Sequence, residues 1–234
     1  DLYYLTHDEL NYSPDAWVDY VHPSDLGAQA QATAVEKKVR EILRIPEGNR
    51  PTCQPVTQRR EPNNYEWQKR HREIISHIKQ HPPKAVIIGN SITHFWGGEP
   101  AGPLNRGPES WKKYMAAAGF QNLGYAYVCT HSAHGPLPLF TLDDLEAGNA
   151  DYEAKKVVLM IGTNNMGSST DEDIVEGLRF LIIAVRNRQP KATIQVMGIL
   201  PRREHEDWVK NINRNIRTMA EEENCLFGDA GPAL

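Results

Sequence analysis

A three-layer α/β fold is predicted by this sequence, with a central parallel sheet of about five strands and helices on both faces. Two observations predict it. Short continuous apolar runs, Ala85-Val86-Ile87-Ile88 above all, read as strands buried on both faces. Amphipathic stretches of helical period alternate with these runs, as crossover helices alternate with parallel strands.

The elements follow in chain order. Residues 1–24 mix aromatic and turn residues, and Pro14, Asp15, Pro23 and Ser24 mark loops. Residues 25–44 read as a helix that Ser24 or Asp25 can cap, with an apolar stripe of Val35, Val39, Ile42 and Leu43. Residues 45–62 are polar and Pro-rich, the composition of a linker. A second helix spans 64–80, with Trp67, Ile74, Ile75 and Ile78 on its buried side, and Pro82-Pro83 stops it. Strand 85–88 comes next. Residues 109–118 are helical, 121–127 form a strand, and 128–150 are irregular, with Gly135, Pro136, Pro138 and Gly148. Strand 156–161, helix 171–188, strand 193–200, helix 205–223 and strand 225–229 complete the alternation. The layout is flavodoxin-like, and ligands of such sheets bind beyond the carboxyl ends of the strands. Three regions result: a block over 1–44, a linker over 45–62 and a main domain over 63–234.

Composition narrows the function. The 234 residues are 40% apolar and 24% charged, as in an ordinary globular domain. A net charge of -4, with Lys and Arg dispersed among acids, argues against a nucleic-acid or anionic-membrane role. No apolar run approaches the ~20 residues of a membrane helix. Cys53, Cys129 and Cys225 have neither metal-ligand spacing nor a paired framework, and read as ordinary thiols. No metal or organic cofactor is expected, because no His/Cys/Asp cluster and no Gly-rich phosphate loop is present. The chain opens on Asp1-Leu2-Tyr3-Tyr4 without a legible secretory leader, and no compartment is assigned.

Chemistry concentrates at two strand ends. Strand 85–88 delivers Gly89-Asn90-Ser91, and strand 156–161 delivers Gly162-Thr163-Asn164-Asn165. Both motifs fall on the same edge of the sheet. A serine there can attack a carbonyl once a base takes its proton. An asparagine there can donate an amide N–H to the oxyanion that develops.

Together with Asn122-Leu123-Gly124, these motifs resemble the three blocks of the SGNH (GDSL-like) hydrolase superfamily. The stretch 64–231 is similar in layout to the alpha subunits of brain-type platelet-activating-factor acetylhydrolase, and more so to bacterial esterases of that branch. The matching features include the tryptophan-bearing helix before the first strand and Ile199-Leu200-Pro201-Arg202 after the fourth. The resemblance implies a serine esterase that cleaves short-chain carboxylic esters, acetyl esters first, through an acyl-serine intermediate. A small-molecule or carbohydrate ester is the implied substrate. Ser91 would be the nucleophile. The Ser91 backbone N–H, the turn at Gly124 and the Asn164 side chain would hold the oxyanion.

The superfamily also carries an Asp-x-x-His block. Here one stands near the start, as Asp19-Tyr20-Val21-His22, and residues 1–27 resemble the closing part of bacterial SGNH domains. By that resemblance His22 is the base and Asp19 orients it. Two orders fit: the tail of one domain followed by the body of the next, or an arrangement equivalent to a circular permutation. Completion within one chain and a segment swap in a homodimer are both open. Secretion or the periplasm is likewise open by resemblance.

The pattern has departures. Asn90 stands where the family usually has Asp, and Ala126 or Tyr127 stands where the second block has a further Gly. Residues 128–150 match nothing in the branch. His131, His134, His94 and His205 are rival bases, with His94 the better fit to a wall residue. Trp96-Gly97-Gly98 either shapes an acyl pocket or ends a helix. Arg202-Arg203 either holds an anionic group or is a solvated pair, and Glu221-Glu222-Glu223 reads as a solvated face. Two rival functions remain: a non-catalytic carbohydrate-binding or scaffold relative, and a thioesterase or lysophospholipase.

Overall fold

The computed structural model describes residues 14–18, 22–43, 50–53, 65–126 and 152–233. Asp19, His131, His134, Cys129 and the irregular stretch at 128–150 lie outside them. The chain divides into two compact units, Asp1–Gly48 and Asn49–Leu234.

The first unit is built on helix α1, Asp25–Leu43. Ser24 begins it as the sequence expects: its Oγ accepts from Gly27 N at 3.3 Å and donates to the Asp15 carbonyl at 2.6 Å. Val18 N donates to the His22 carbonyl, and Trp17 bridges Pro23. Within the expected apolar stripe, Val35 is half-buried, whereas Val39 and Ile42 are exposed.

The second unit holds a five-stranded, all-parallel sheet in the order β2-β1-β3-β4-β5. The strands are β1 Ala85–Gly89, β2 Phe120–Gly124, β3 Lys156–Met160, β4 Thr193–Met197 and β5 Leu226–Gly228. The helices are α2 Trp67–Gln80, α3 Ser91–Trp96, α4 Pro108–Ser110, α5 Asp171–Arg188 and α6 Glu206–Glu222. A π turn, Trp111–Met115, and a 3-10 turn, Ala116–Ala118, extend α4. Alternation along each strand decides which cover it meets. Val86, Ile88, Val157, Leu159 and Val196 join the core that α2, α5 and α6 close. Ile87 and Val158 point the other way, under Trp111. Burial on both faces explains why β1 reads as an unbroken apolar run.

Three details depart from sequence expectation. Residues 50–53, expected within a linker, are anchored on the first turn of α5. Arg50 pairs with Glu172 at 2.6 Å and Asp173 at 2.8 Å, and Thr52 Oγ1 donates to the Asp173 carbonyl. The strand expected to run to 200 ends at Met197, because buried Asn213 on α6 takes both the N–H and the carbonyl of Ile199. Of the acids expected on a solvated face, Glu221 and Glu222 are exposed, but Glu223 is partly buried and pairs with Arg179 and Arg186, and Glu222 also reaches Arg179, tying the end of α6 to α5. Among the described residues no helix is long and apolar enough to cross a membrane, and no cluster could hold a metal ion.

Candidate active site

The strand-to-helix turn after β1 is tight because Gly89 permits it. A Cβ at Gly89 would stand 2.0 Å from Thr93 Oγ1 and 2.6 Å from the Met160 carbonyl oxygen. Asn90 then caps α3, its side chain accepting from Ile92 N at 2.9 Å. The capping role explains how Asn replaces Asp here: a side-chain oxygen suffices, and the residue is buried at 2% exposure. Ser91 opens the helix, half-buried, and its Oγ makes no hydrogen bond among the described residues. A serine hydroxyl in that position is available to attack a carbonyl, given a base.

The β2 end lies beside it. Gly89 faces Gly124 in the parallel register, the last pair of the two strands. The turn is held from three sides. Gly124 N donates to Asn122 Oδ1 at 2.8 Å, Tyr125 N to the Gly89 carbonyl at 3.1 Å, and Trp67 Nε1 to the Ala126 carbonyl at 2.9 Å. Gly124 was expected to mark the oxyanion turn, yet its own N–H is committed to Asn122. Ala126 N–H donates to no partner among the described residues, and Tyr127 lies outside them.

After β3, Gly162 takes φ +123°, a conformation closed to most side-chain-bearing residues. The 3-10 turn Thr163–Asn165 follows. Asn165 is its structural member: it is buried, and its carbonyl accepts from Ser168 N and Ser169 N. Asn164 is half-buried on the same turn. Arg202 braces this turn by donating to the Thr163 carbonyl at 3.1 Å, a use the sequence left open. Asn90, Ile92, Met160, Ile161, Thr163 and Ile199 line a small recess beside the turn, with room for little more than one water-sized group.

The rival histidines separate. His94 is buried, its Nδ1 shares a hydrogen bond with Tyr65 Oη at 3.1 Å, and burial together with the Arg70 charge pushes its pKa down to about 3. It is buried and neutral, not a solvent-accessible base. His205 begins α6 in the exposed loop after β4. His22 belongs to the first unit and is exposed. Trp96 and Trp111 meet edge to face at 5.6 Å, and Gly97 and Gly98 lie against the Trp111 ring. That tripeptide therefore ends a helix.

Two residues went unassigned in the sequence. Arg70 donates to the carbonyls of Asn122, Gly124 and Pro100 from a position 3% exposed. Its spacing from Trp67, Ile74 and Ile78 places it on the buried stripe of α2, a legible signal. Asn122 was read only as part of a motif.

Comparison with known proteins agrees with this architecture. Residues 87–234 match the model of the GDSL-like lipase/acylhydrolase family. The alpha1 subunit of platelet-activating factor acetylhydrolase IB from Bos taurus is 26% identical over 174 residues, 72% of this chain and 67% of that one. The Homo sapiens subunit is 26% identical over the same length, covering 68% of that protein. Among solved structures, a GDSL-like lipase from Bacteroides thetaiotaomicron aligns with TM-score 0.50 and 16% identity, over 72% of this chain and 78% of that one. A Streptococcus pneumonia structure provisionally described as a platelet activating factor gives TM-score 0.53 and 19% identity, over 87% and 83%. With the strand-end blocks in place and the family matched over most of its length, this chain belongs to the GDSL-like lipase/acylhydrolase family of the SGNH superfamily and is a carboxylic ester hydrolase.

Proposed function

We propose that the chain cleaves short-chain carboxylic esters, acetyl esters first, through an acyl-serine intermediate on Ser91. The observation that carries this reading is the placement of Ser91: it opens α3 on a Gly89-enabled turn, with its Oγ uncommitted among the described residues. Ser91 Oγ attacks the acyl carbon, and its proton passes to a base. The alcohol leaves with a proton, and water then releases the acid. The Ser91 backbone N–H, the Asn164 side chain and a backbone N–H of the 126–127 turn receive the oxyanion. The names of the curated relatives, acetylhydrolases, point to acetyl esters.

His22 is the proposed base and Asp19 its orienting partner, supplied within one chain or from a second copy. This assignment rests on the Asp-x-x-His spacing and on the capped helix that follows it. The proposed division is correspondingly a closing block over 1–44 and a hydrolase body over 63–234, with 45–62 between them. The alcohol half is sought first among acetylated sugars, because the sequence resembles carbohydrate-deacetylating esterases.

The test is p-nitrophenyl acetate hydrolysis by wild type, Ser91→Ala and His22→Ala, each checked for folding by circular dichroism. Both variants are expected to lose turnover. Full activity in His22→Ala would move the base to another histidine. An inactive wild type across short acyl esters would favour a binding-only relative.

A further inference from the structure

We infer that Asn122 is a positioning residue that locks the Ser91 helix and the oxyanion turn into one unit, an inference that rests on the proposed role of Ser91. Helix α3 has only six residues, so most of its carbonyls lack an intrahelical partner. Arg106 N and Gly107 N take those of Phe95 and Trp96. The Asn122 Nδ2 group reaches across from β2 and donates to Thr93 O and Gly97 O, both at 2.7 Å. Its other end, Oδ1, accepts from Gly124 N at 2.8 Å.

One amide thus caps the helix that begins with Ser91 and also bends the chain two residues before Ala126. Both ends of the side chain are used, and the residue is fully buried. Arg70 holds the Asn122 carbonyl at 3.1 Å, so the strand that carries the amide is itself fixed. A Cβ at Gly124 would stand 2.5 Å from His94 N, so the turn and the helix already touch. Of the contacts that hold the turn among the described residues, this side chain alone bonds both the turn and the Ser91 helix, and so it helps to set the separation between the proposed nucleophile and the turn. Catalysis depends on such distances steeply: a misplacement of about 1 Å can cost ~10²-fold in rate.

The two ends can be tested separately in the full chain. Asn122→Ala removes both. Asn122→Asp keeps an acceptor for Gly124 N–H and loses the donors to Thr93 and Gly97. Amide hydrogen exchange and ester kinetics are read together, with Glu223→Gln as a variant that weakens a distant ion pair. Asn122→Ala is expected to accelerate exchange in α3 and at Gly124 together, and to lower kcat about 10- to 100-fold with KM within about twofold. Asn122→Asp is expected to leave Gly124 protected while α3 opens. Glu223→Gln is expected to lower the melting temperature without either effect. Wild-type kcat in a folded Asn122→Ala variant, or wild-type exchange in either segment, overturns the inference. If the wild type hydrolyses no ester, the functional reading fails, and exchange alone decides whether the clamp exists.

Discussion

The ends of β1 and β3 carry the two chemical motifs, and the chain secures them by different means. The β1 end is held from outside. Asn122 caps its helix, α2 sends Trp67 and Arg70 to the neighbouring turn, and Gly89 admits Thr93 at close range. The β3 end is held mainly from within, by Gly162 at positive φ and by the carbonyl of Asn165. Arg202 adds one exposed contact. If Ser91 is the nucleophile, as proposed, it must keep its distance to several partners, and a clamp built by neighbours suits that role. The proposed donor Asn164 needs only a rigid local turn. The lesson is that damage to β2 or α2 should travel to Ser91, whereas damage near Asn164 should stay local.

Substitutions can sharpen that contrast. After loss of the proposed nucleophile or base, the largest effect is expected at Asn164. Asn164→Ala should lower kcat by ~10²–10³ with little change in folding stability. A steady-state profile beside a urea melt checks both halves. Gly89→Ala forces a Cβ into Thr93 and Met160 and should cost about 3 kcal/mol or more, with partial loss of activity. Gly162→Ala meets only ordinary contacts at 3.4 Å, so its penalty comes from the backbone, of order 1–3 kcal/mol. Equal urea shifts for the two glycines would break the comparison.

A pH experiment probes buried His94 in the helix that Ser91 opens. Burial and then Arg70 hold the His94 pKa down to about 3 in the folded chain, against an ordinary 6.5. The unfolded chain therefore binds a proton that the native one refuses. Stability from this group is complete above about pH 6.5 and is lost as pH falls toward 3. His94→Gln should flatten the fall in unfolding free energy between about pH 7 and pH 4, read from urea melts, by an amount of order a few kcal/mol. A slope equal to that of the wild type would show that His94 titrates normally. The smallest effect belongs to Arg202→Ala, which removes an exposed contact and should shift stability by about 0.5 kcal/mol.

Much of this architecture was legible in the residues. The helix at 171–188 has its observed bounds because Thr170 and Asp173 form a capping box. Strand β1 declared itself by an apolar run that only a doubly covered strand tolerates. The three motifs fell at strand ends as expected. What was not legible depended on contacts distant in sequence. Arg50 reads as part of a polar linker until its partners, Glu172 and Asp173, are brought to it by the fold. Glu223 reads as a solvated acid until α5 supplies Arg179 and Arg186. Asn122 sits in a recognisable motif, yet its role comes from carbonyls 25 and 29 residues away. Asp19 and His22 were legible only through the resemblance of Asp19-Tyr20-Val21-His22 to the superfamily's Asp-x-x-His block.

The most direct measurement is the site of covalent labelling. The full chain is treated with a fluorophosphonate, digested and mapped by mass spectrometry. The account predicts one adduct on the peptide carrying Ser91, absent in Ser91→Ala and formed more slowly in Asn122→Ala. Labelling of a different residue, or none by a wild-type chain that hydrolyses p-nitrophenyl acetate, would contradict it.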